Sequence, residues 1–342
     1  MSEIMNKNIQ PEYKQNIIPI REIKIIQRFI RYCLIKFNSL ISINYRGDDI
    51  TRKSIDVFLH KKRSENDDNN KKRENIIGAI INEKIPQKYY IYLKKWKKLK
   101  EEIVSYIKDL CKLKNVNSIY SLVCEHKAGR GNHYDFLLKI NNELEFHIEF
   151  KFNVVSVNET PQFVSPMKPS QYLNESYEDY FYNNYLSILV HEYNLSLPCK
   201  DDYLKNVHSN KPKCLKEHQE KYYMGCKRSS KFTNNQNDID FYNSSNKASQ
   251  ESIRNFITEY DLNIDKLTEY LLQTQKNKIY MLYKNNHFTL ETVDLNNYTI
   301  IHVEKDPEHY RYLATSASGK KLKILMRWKN GNGIAYPAFQ IS

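Results

Sequence analysis

Residues 143–152 read Glu-Leu-Glu-Phe-His-Ile-Glu-Phe-Lys-Phe. Successive side chains of a strand point to opposite faces. Leu144, Phe146, Ile148, Phe150 and Phe152 therefore share one face, and Glu143, Glu145, His147, Glu149 and Lys151 the other. Glu149 and Lys151 become neighbours on the polar face, about 7 Å apart along the strand. A carboxylate beside an ammonium can bind a cation and polarise a water molecule.

The preceding pattern, Tyr134–Ile140, must pair back across Asn141-Asn142. A two-residue loop sets Asp135 opposite Ile148 and Lys139 opposite Leu144, mixing polar with apolar. A three-residue loop (141–143) sets Phe136 opposite Ile148, Leu138 opposite Phe146 and Ile140 opposite Leu144. It also sets Lys139 opposite Glu145, an attractive cross-strand pair. Consistency of faces fixes register, so the second is expected. Asn tolerates the left-handed conformation such a loop needs. This register puts Asp135 opposite Glu149, where two carboxylates repel and raise one another's pKa. A hard divalent cation between them, Mg2+ with Mn2+ as a substitute, relieves that repulsion. With Lys151 alongside, the set suits phosphodiester hydrolysis.

Asp135 followed by Glu149-Phe150-Lys151 resembles the PD-(D/E)xK nuclease superfamily, which includes many restriction enzymes and recombination nucleases. In that family a helix precedes a three-strand meander. The second strand carries the Asp, the third carries Glu-x-Lys, and a helix follows. The order read here is similar over roughly 88–195. The resemblance implies that Asp135, Glu149 and the Phe150 carbonyl bind the metal while Lys151 assists the attacking water. It implies an α/β (α+β) fold with a restriction-endonuclease-like mixed sheet flanked by helices. Tyr134 stands where the motif's Pro would be. In such nucleases another acidic residue can join the metal site, and Glu125 and Glu83 are the two candidates. Some place a Gln after the third strand, which points to Gln162.

The elements that must position these residues follow from periodicity. Residues 20–40 and 88–113 show helical spacing. His60–Asn75 holds no apolar residue and is expected as an exposed loop. Strand patterns run Ser118–Cys124, Tyr134–Ile140 and Leu144–Phe152. A Tyr-rich helical stretch spans 170–191, two short helices are expected in 250–275, and strands start at Lys278 and His287. The expected organisation is a helical extension and linker over 1–75 and a nuclease core over 76–195. A polar insertion over 196–250 follows, then the rest of the core with C-terminal hairpins over 251–342.

Composition points to the partner. Lys and Arg number 53 against 40 Asp and Glu, a net +13, which favours an anionic partner through counterion release. DNA is expected rather than a membrane, because no long basic amphipathic helix with a clean apolar face is followed by a lipid-anchor motif. An intracellular location is expected, with the six Cys reduced. Arg130 in the Gly129–Asn132 loop, Lys168, and Arg327 and Lys329 beside the Asn330–Gly333 turn are the candidate DNA contacts. The lysines around Trp96 are further candidates, or simply a solvated helical face. The C-terminal hairpin either enters a DNA groove or closes a domain with Trp328 in its core. Cys199, His208, Cys214, His218 and Cys226 form only a loose zinc pattern. Competing readings are a repair or recombination nuclease, a non-catalytic DNA-binding protein, and a structural protein with a charged hairpin. Oligomeric state is open, a homodimer being one option.

Overall fold

The computed structural model describes residues 22, 24–31, 42–59, 66–127, 132–159, 168–209 and 212–342. It is a mixed α/β protein with two large sheets and a short ribbon. The ribbon pairs β1 (Ile43–Tyr45) with β2 (Asp48–Ile50). The first sheet has the order β3 (Leu122–His126), β4 (Phe136–Ile140), β5 (Leu144–Phe152), β6 (Lys278–Lys284), β7 (His287–Thr292). Its pairings are antiparallel except β5 with β6, which is parallel. Parallel neighbours need a long crossover, and the chain from 153 to 277 supplies it by building most of a second lobe.

The β4–β5 hairpin takes the three-residue register: Phe136 faces Ile148, Leu138 faces Phe146, Lys139 faces Glu145 and Ile140 faces Leu144. Asn141 and Asn142 have φ of 57° and 56°, the left-handed region that Asn accepts more readily than most residues. Phe136, Leu138, Ile140, Phe146, Ile148 and Phe150 are buried in one core with α1 (Asn66–Ile81) and α3 (Lys94–Leu113). Each such side chain contributes about 1.5–3 kcal/mol on full burial. A slip of one residue would turn the whole set to the other face.

Three helical expectations change. α1 begins inside the span expected as a loop. Its first turns are polar but have partners: Arg73 Nε donates to the Val57 carbonyl at 2.9 Å, and the Arg73 guanidinium lies 3.5 Å from the Phe152 ring centre. The pattern over 88–113 is split at Leu93, whose extended backbone ends α2 (Gln87–Tyr92). The break lets Tyr89 and Trp96 meet edge to face at 5.1 Å. Trp96 is buried and donates to the Arg52 carbonyl at 3.1 Å. Of the lysines around it, Lys95 pairs with Asp56 at 3.0 Å and Lys100 lies 4.4 Å from the Tyr90 ring centre. They ride on the apolar side of the sheet, away from Glu149.

The third change concerns 196–250. The second lobe carries α4 (Tyr177–Phe181), a π turn (Tyr182–Leu186), α5 (Ser187–Glu192), α6 (Lys200–Asn206), α7 (Lys216–Gly225), α8 (Gln236–Glu259) and α9 (Ile264–Gln275). They pack on a sheet of order β11 (Ala335–Ile341), β10 (Lys321–Asn330), β9 (Arg311–Ser316), β8 (Ile300–Asp306). Tyr203, Val207, Leu215 and Phe241, all from the expected insertion, are buried in this core. Of the residues after 250, β6 and β7 finish the first sheet while β8–β11 belong to the second lobe. The C-terminal hairpin closes that lobe: Trp328 is buried and its Nε1 donates to the Tyr177 hydroxyl at 3.0 Å. Residues 22 and 24–31 are helical, and the rest of 1–41 lies outside the described residues. No helix among the described residues is long and apolar enough to cross a membrane.

Candidate active site

Asp135 stands one residue before β4. Its N–H donates to the Ile148 carbonyl at 2.9 Å, and its Oδ2 accepts the Phe150 N–H at 2.8 Å. Asp135 thus faces the 148–150 stretch as a whole rather than Glu149 alone. The N–H and C=O of one strand residue point the same way. The Phe150 carbonyl therefore turns toward Asp135, past the end of β4.

Glu149 is held by two cations. Its Oε1 meets Lys151 Nζ at 2.5 Å and its Oε2 meets Lys278 Nζ at 3.0 Å. The side chains of Glu149, Lys151 and Lys278 are only 13%, 21% and 4% exposed. Lys278 opens β6, and parallel pairing sets it beside His147, two residues before Glu149. The second lobe backs this face. Tyr280 is buried and donates to Gln275 of α9 at 2.9 Å, and His133 meets Tyr270 of α9 edge-on at 5.7 Å.

A fourth group comes from α1. Burial, then the Asp135 charge and more weakly Glu149 push the Glu74 carboxyl up to about 8, against Arg46 and Lys151. Burial and then Glu149 push Asp135 up to about 6, against the Phe150 N–H and Lys151. Burial opposes ionisation of Glu149, but Lys151 and Lys278 overcome it and hold its pKa below the usual range. Lys151 is desolvated as well, yet Glu149, Asp135 and Glu74 raise its pKa. Three carboxylates and Lys151 thus feel one another at one rim of the sheet.

Glu74 is the residue that sequence reading missed. It lies one helical turn before Gly78, on the same side of α1. A Cβ on Gly78 would stand 2.1 Å from His126 Nε2. The missing side chain lets α1 lie close against β3, and that approach carries Glu74 to the rim.

The acidic candidates from sequence do not join the cluster. Glu125 has Lys127 at 2.8 Å and Lys139 at 2.9 Å on its two oxygens. These lysines hold its carboxyl down at about 2. Glu83 is exposed beyond the end of α1. Lys168 is exposed ahead of a short 3-10 turn. Arg327 and Lys329 lie on β10 of the second sheet, Lys329 being 5.5 Å from the Tyr336 ring centre. Arg130 and Gln162 fall outside the described residues.

Glu74, Asp135, Glu149 and the Phe150 carbonyl are hard oxygen donors of the kind Mg2+ and Mn2+ take. As they stand, no group of three or more His, Cys, Asp or Glu among the described residues is gathered closely enough to hold a metal ion. That holds for the Cys–His pattern of the second lobe too. His208 bonds Glu178 at 2.7 Å, and His218 is buried with neither ring nitrogen hydrogen-bonded. Around Glu149, ammonium groups stand where a cation would. Compared with known proteins, the chain matches no family model, no curated protein and no solved structure.

Proposed function

We propose that this protein is a metal-dependent deoxyribonuclease that hydrolyses phosphodiester bonds, with a restriction-endonuclease-like core. The observation that carries the reading is geometric: Asp135 is tied through Oδ2 to the Phe150 N–H at 2.8 Å, beside a Glu149 carboxylate that is only 13% exposed and held by Lys151 and Lys278. Carboxylates crowded until two of them resist ionisation are what a divalent cation would relieve. The order of elements agrees: α3, then β3, β4 and β5, with Asp135 at the head of β4, Glu149-Phe150-Lys151 on β5, and α4 following.

Glu74, Asp135, Glu149 and the Phe150 carbonyl would hold Mg2+ or Mn2+. Once bound, the ion would polarise a phosphoryl oxygen and lower the pKa of a water. The chain's own groups do the rest. Lys151 brings an ammonium to where negative charge develops on the phosphate. Asp135, tied through Oδ2 to the Phe150 N–H, has its carboxylate oriented by that bond. Lys278 neutralises Glu149 while no ion is bound.

DNA is the proposed partner. Besides the net charge, the second lobe has an open cavity of about 940 Å3 lined by Lys213, Lys216, Arg228 and Lys231. Cations spaced over an open surface suit a phosphate backbone. The decisive experiment incubates purified protein with supercoiled plasmid and Mg2+, with EDTA as control. Nicking that needs Mg2+ is expected, and intact plasmid at all protein and Mn2+ concentrations would overturn the reading.

A further inference from the structure

We infer that Lys278 is an internal counter-cation whose ammonium occupies a ligand position of the metal site until a divalent ion displaces it from Glu149. The inference rests on the metal reading above.

Both oxygens of Glu149 are engaged, Oε1 by Lys151 and Oε2 by Lys278. Each carboxylate oxygen keeps a second lone pair, but a divalent ion arriving at Glu149 meets an ammonium group within 3.0 Å of either oxygen and is repelled by both. Release of one lysine relieves that repulsion, and the two differ in placement. Lys151 shares β5 with Glu149 and also faces Asp135 and Glu74. Its departure would strip charge from the very rim where the phosphate must sit. Lys278 comes from the neighbouring strand and approaches the other oxygen.

Lys278 also has somewhere to go. Its ammonium already lies 5.7 Å from the centre of the Tyr280 ring, within the range where a cation is attracted to an aromatic face. Tyr280 is fixed by its bond to Gln275. Moving along this ring would release Oε2 while keeping the charge solvated by protein.

The buried lysine has a physical reason. Without a metal, Glu74, Asp135 and Glu149 would put uncompensated negative charge in a poorly hydrated place, which is strongly unfavourable. Two lysines allow the empty site to fold. The consequence is competition, since every divalent ion that approaches Glu149 meets the charge of an ammonium already there. Cation affinity is thereby lowered and made dependent on the residue at 278.

The test is calorimetric titration of Mn2+ into the full chain without nucleic acid, alongside thermal melting in EDTA and in Mn2+. Lys278→Met and Lys278→Gln are expected to bind Mn2+ about ten-fold tighter than wild type, to melt lower in EDTA, and to gain more on Mn2+ addition. Lys278→Arg, which keeps the cation, is expected to bind no tighter than wild type. A purely structural lysine would give weaker or unchanged binding in Lys278→Met and Lys278→Gln, and that result overturns the inference. If these two variants fold only in the presence of Mn2+, the inference stands. If they fold neither with nor without it, Lys278 is a structural residue and the inference falls. Should wild type and every variant bind no Mn2+, the metal reading fails with it. Should wild type bind but Lys278→Met bind no tighter, only the role of Lys278 fails.

Discussion

The carboxylate of Asp135 caps the main chain of the very residue that separates Glu149 from Lys151: its Oδ2 accepts the Phe150 N–H at 2.8 Å. One hydrogen bond thus locks the acidic end of β4 to the Glu-Phe-Lys triplet of β5. Asp135→Asn preserves an acceptor for that N–H and removes the charge. Mg2+-dependent nicking is expected to fall by roughly 10²–10³-fold or more, with a melting temperature in EDTA equal to or above wild type. Asp135→Ala also strips the N–H of its partner and should cost about 1–3 kcal/mol of stability. Undiminished cutting by Asp135→Asn would remove Asp135 from the site.

Lys151→Ala separates chemistry from binding. The ammonium stabilises charge that develops during reaction and reads no base, so nicking should be lost. DNA affinity at moderate salt should change little, because it is spread over many cations. A nicking assay and a filter-binding titration, run side by side, check this. Cleavage at the wild-type rate would favour an ordinary charged hairpin.

The raised carboxyls give a pH dependence with a definite sign. Glu74 moves from 4.5 to about 8, and Asp135 from 3.8 to about 6. Between those limits the unfolded chain has released protons that the folded chain still holds. Stability in EDTA from these groups therefore falls as pH rises from about 4 to about 8. Glu74→Gln should flatten that slope and stabilise the metal-free protein at pH 8, while reducing Mg2+-dependent cleavage. Urea melts at pH 5, 6.5 and 8 read the slope. A steeper decline in the variant would contradict the placement of Glu74.

Gly78 tests how Glu74 reaches the rim. Alanine usually favours a helix interior over glycine by about 1 kcal/mol. Here the new methyl would meet His126, which is itself packed against Tyr45 and Phe136 at ring distances of 5.7 and 5.1 Å. The crowding should win, so Gly78→Ala is expected to destabilise by about 1–3 kcal/mol and to lower cleavage together with it. Chemical denaturation would show the opposite sign if α1 did not press on β3.

The hairpin could be read from sequence because its signals are local. Strict alternation over Leu144–Phe152 and two asparagines in the turn leave one register with a consistent face. Glu74 could not be read. It meets Asp135 only through tertiary packing, and its helix opens with residues whose burial depends on partners elsewhere, as with Arg73 against Phe152. The second core was hidden for a related reason. The buried residues of α8 are Asp238, Phe241, Ser245, Ser249, Ser252, Ile253, Phe256 and Ile257, so its first half buries mainly small polar side chains around Phe241. Small hydroxyl side chains there allow close packing, yet in sequence they read as solvent-facing.

That stripe decides what becomes of the region expected as a polar insertion. Residues 228–248 hold the first half of α8, including Phe241, which is fully buried and packs edge-on against Tyr193 at 5.2 Å. Losing one such ring typically costs about 3–5 kcal/mol, a large share of the roughly 5–15 kcal/mol that holds a domain together. Phe241→Ala should therefore lower the denaturation midpoint strongly, and deleting 228–248 should unfold the second lobe. The first sheet depends on that lobe, since β6 returns from it to pair with β5 and to deliver Lys278. Circular dichroism of the deletion is thus expected to lose much of its helical signal, and Mg2+-dependent nicking should vanish with it. A deletion that keeps the wild-type spectrum would show instead that 228–248 is an appendage, and the packing of α8 described above would be wrong.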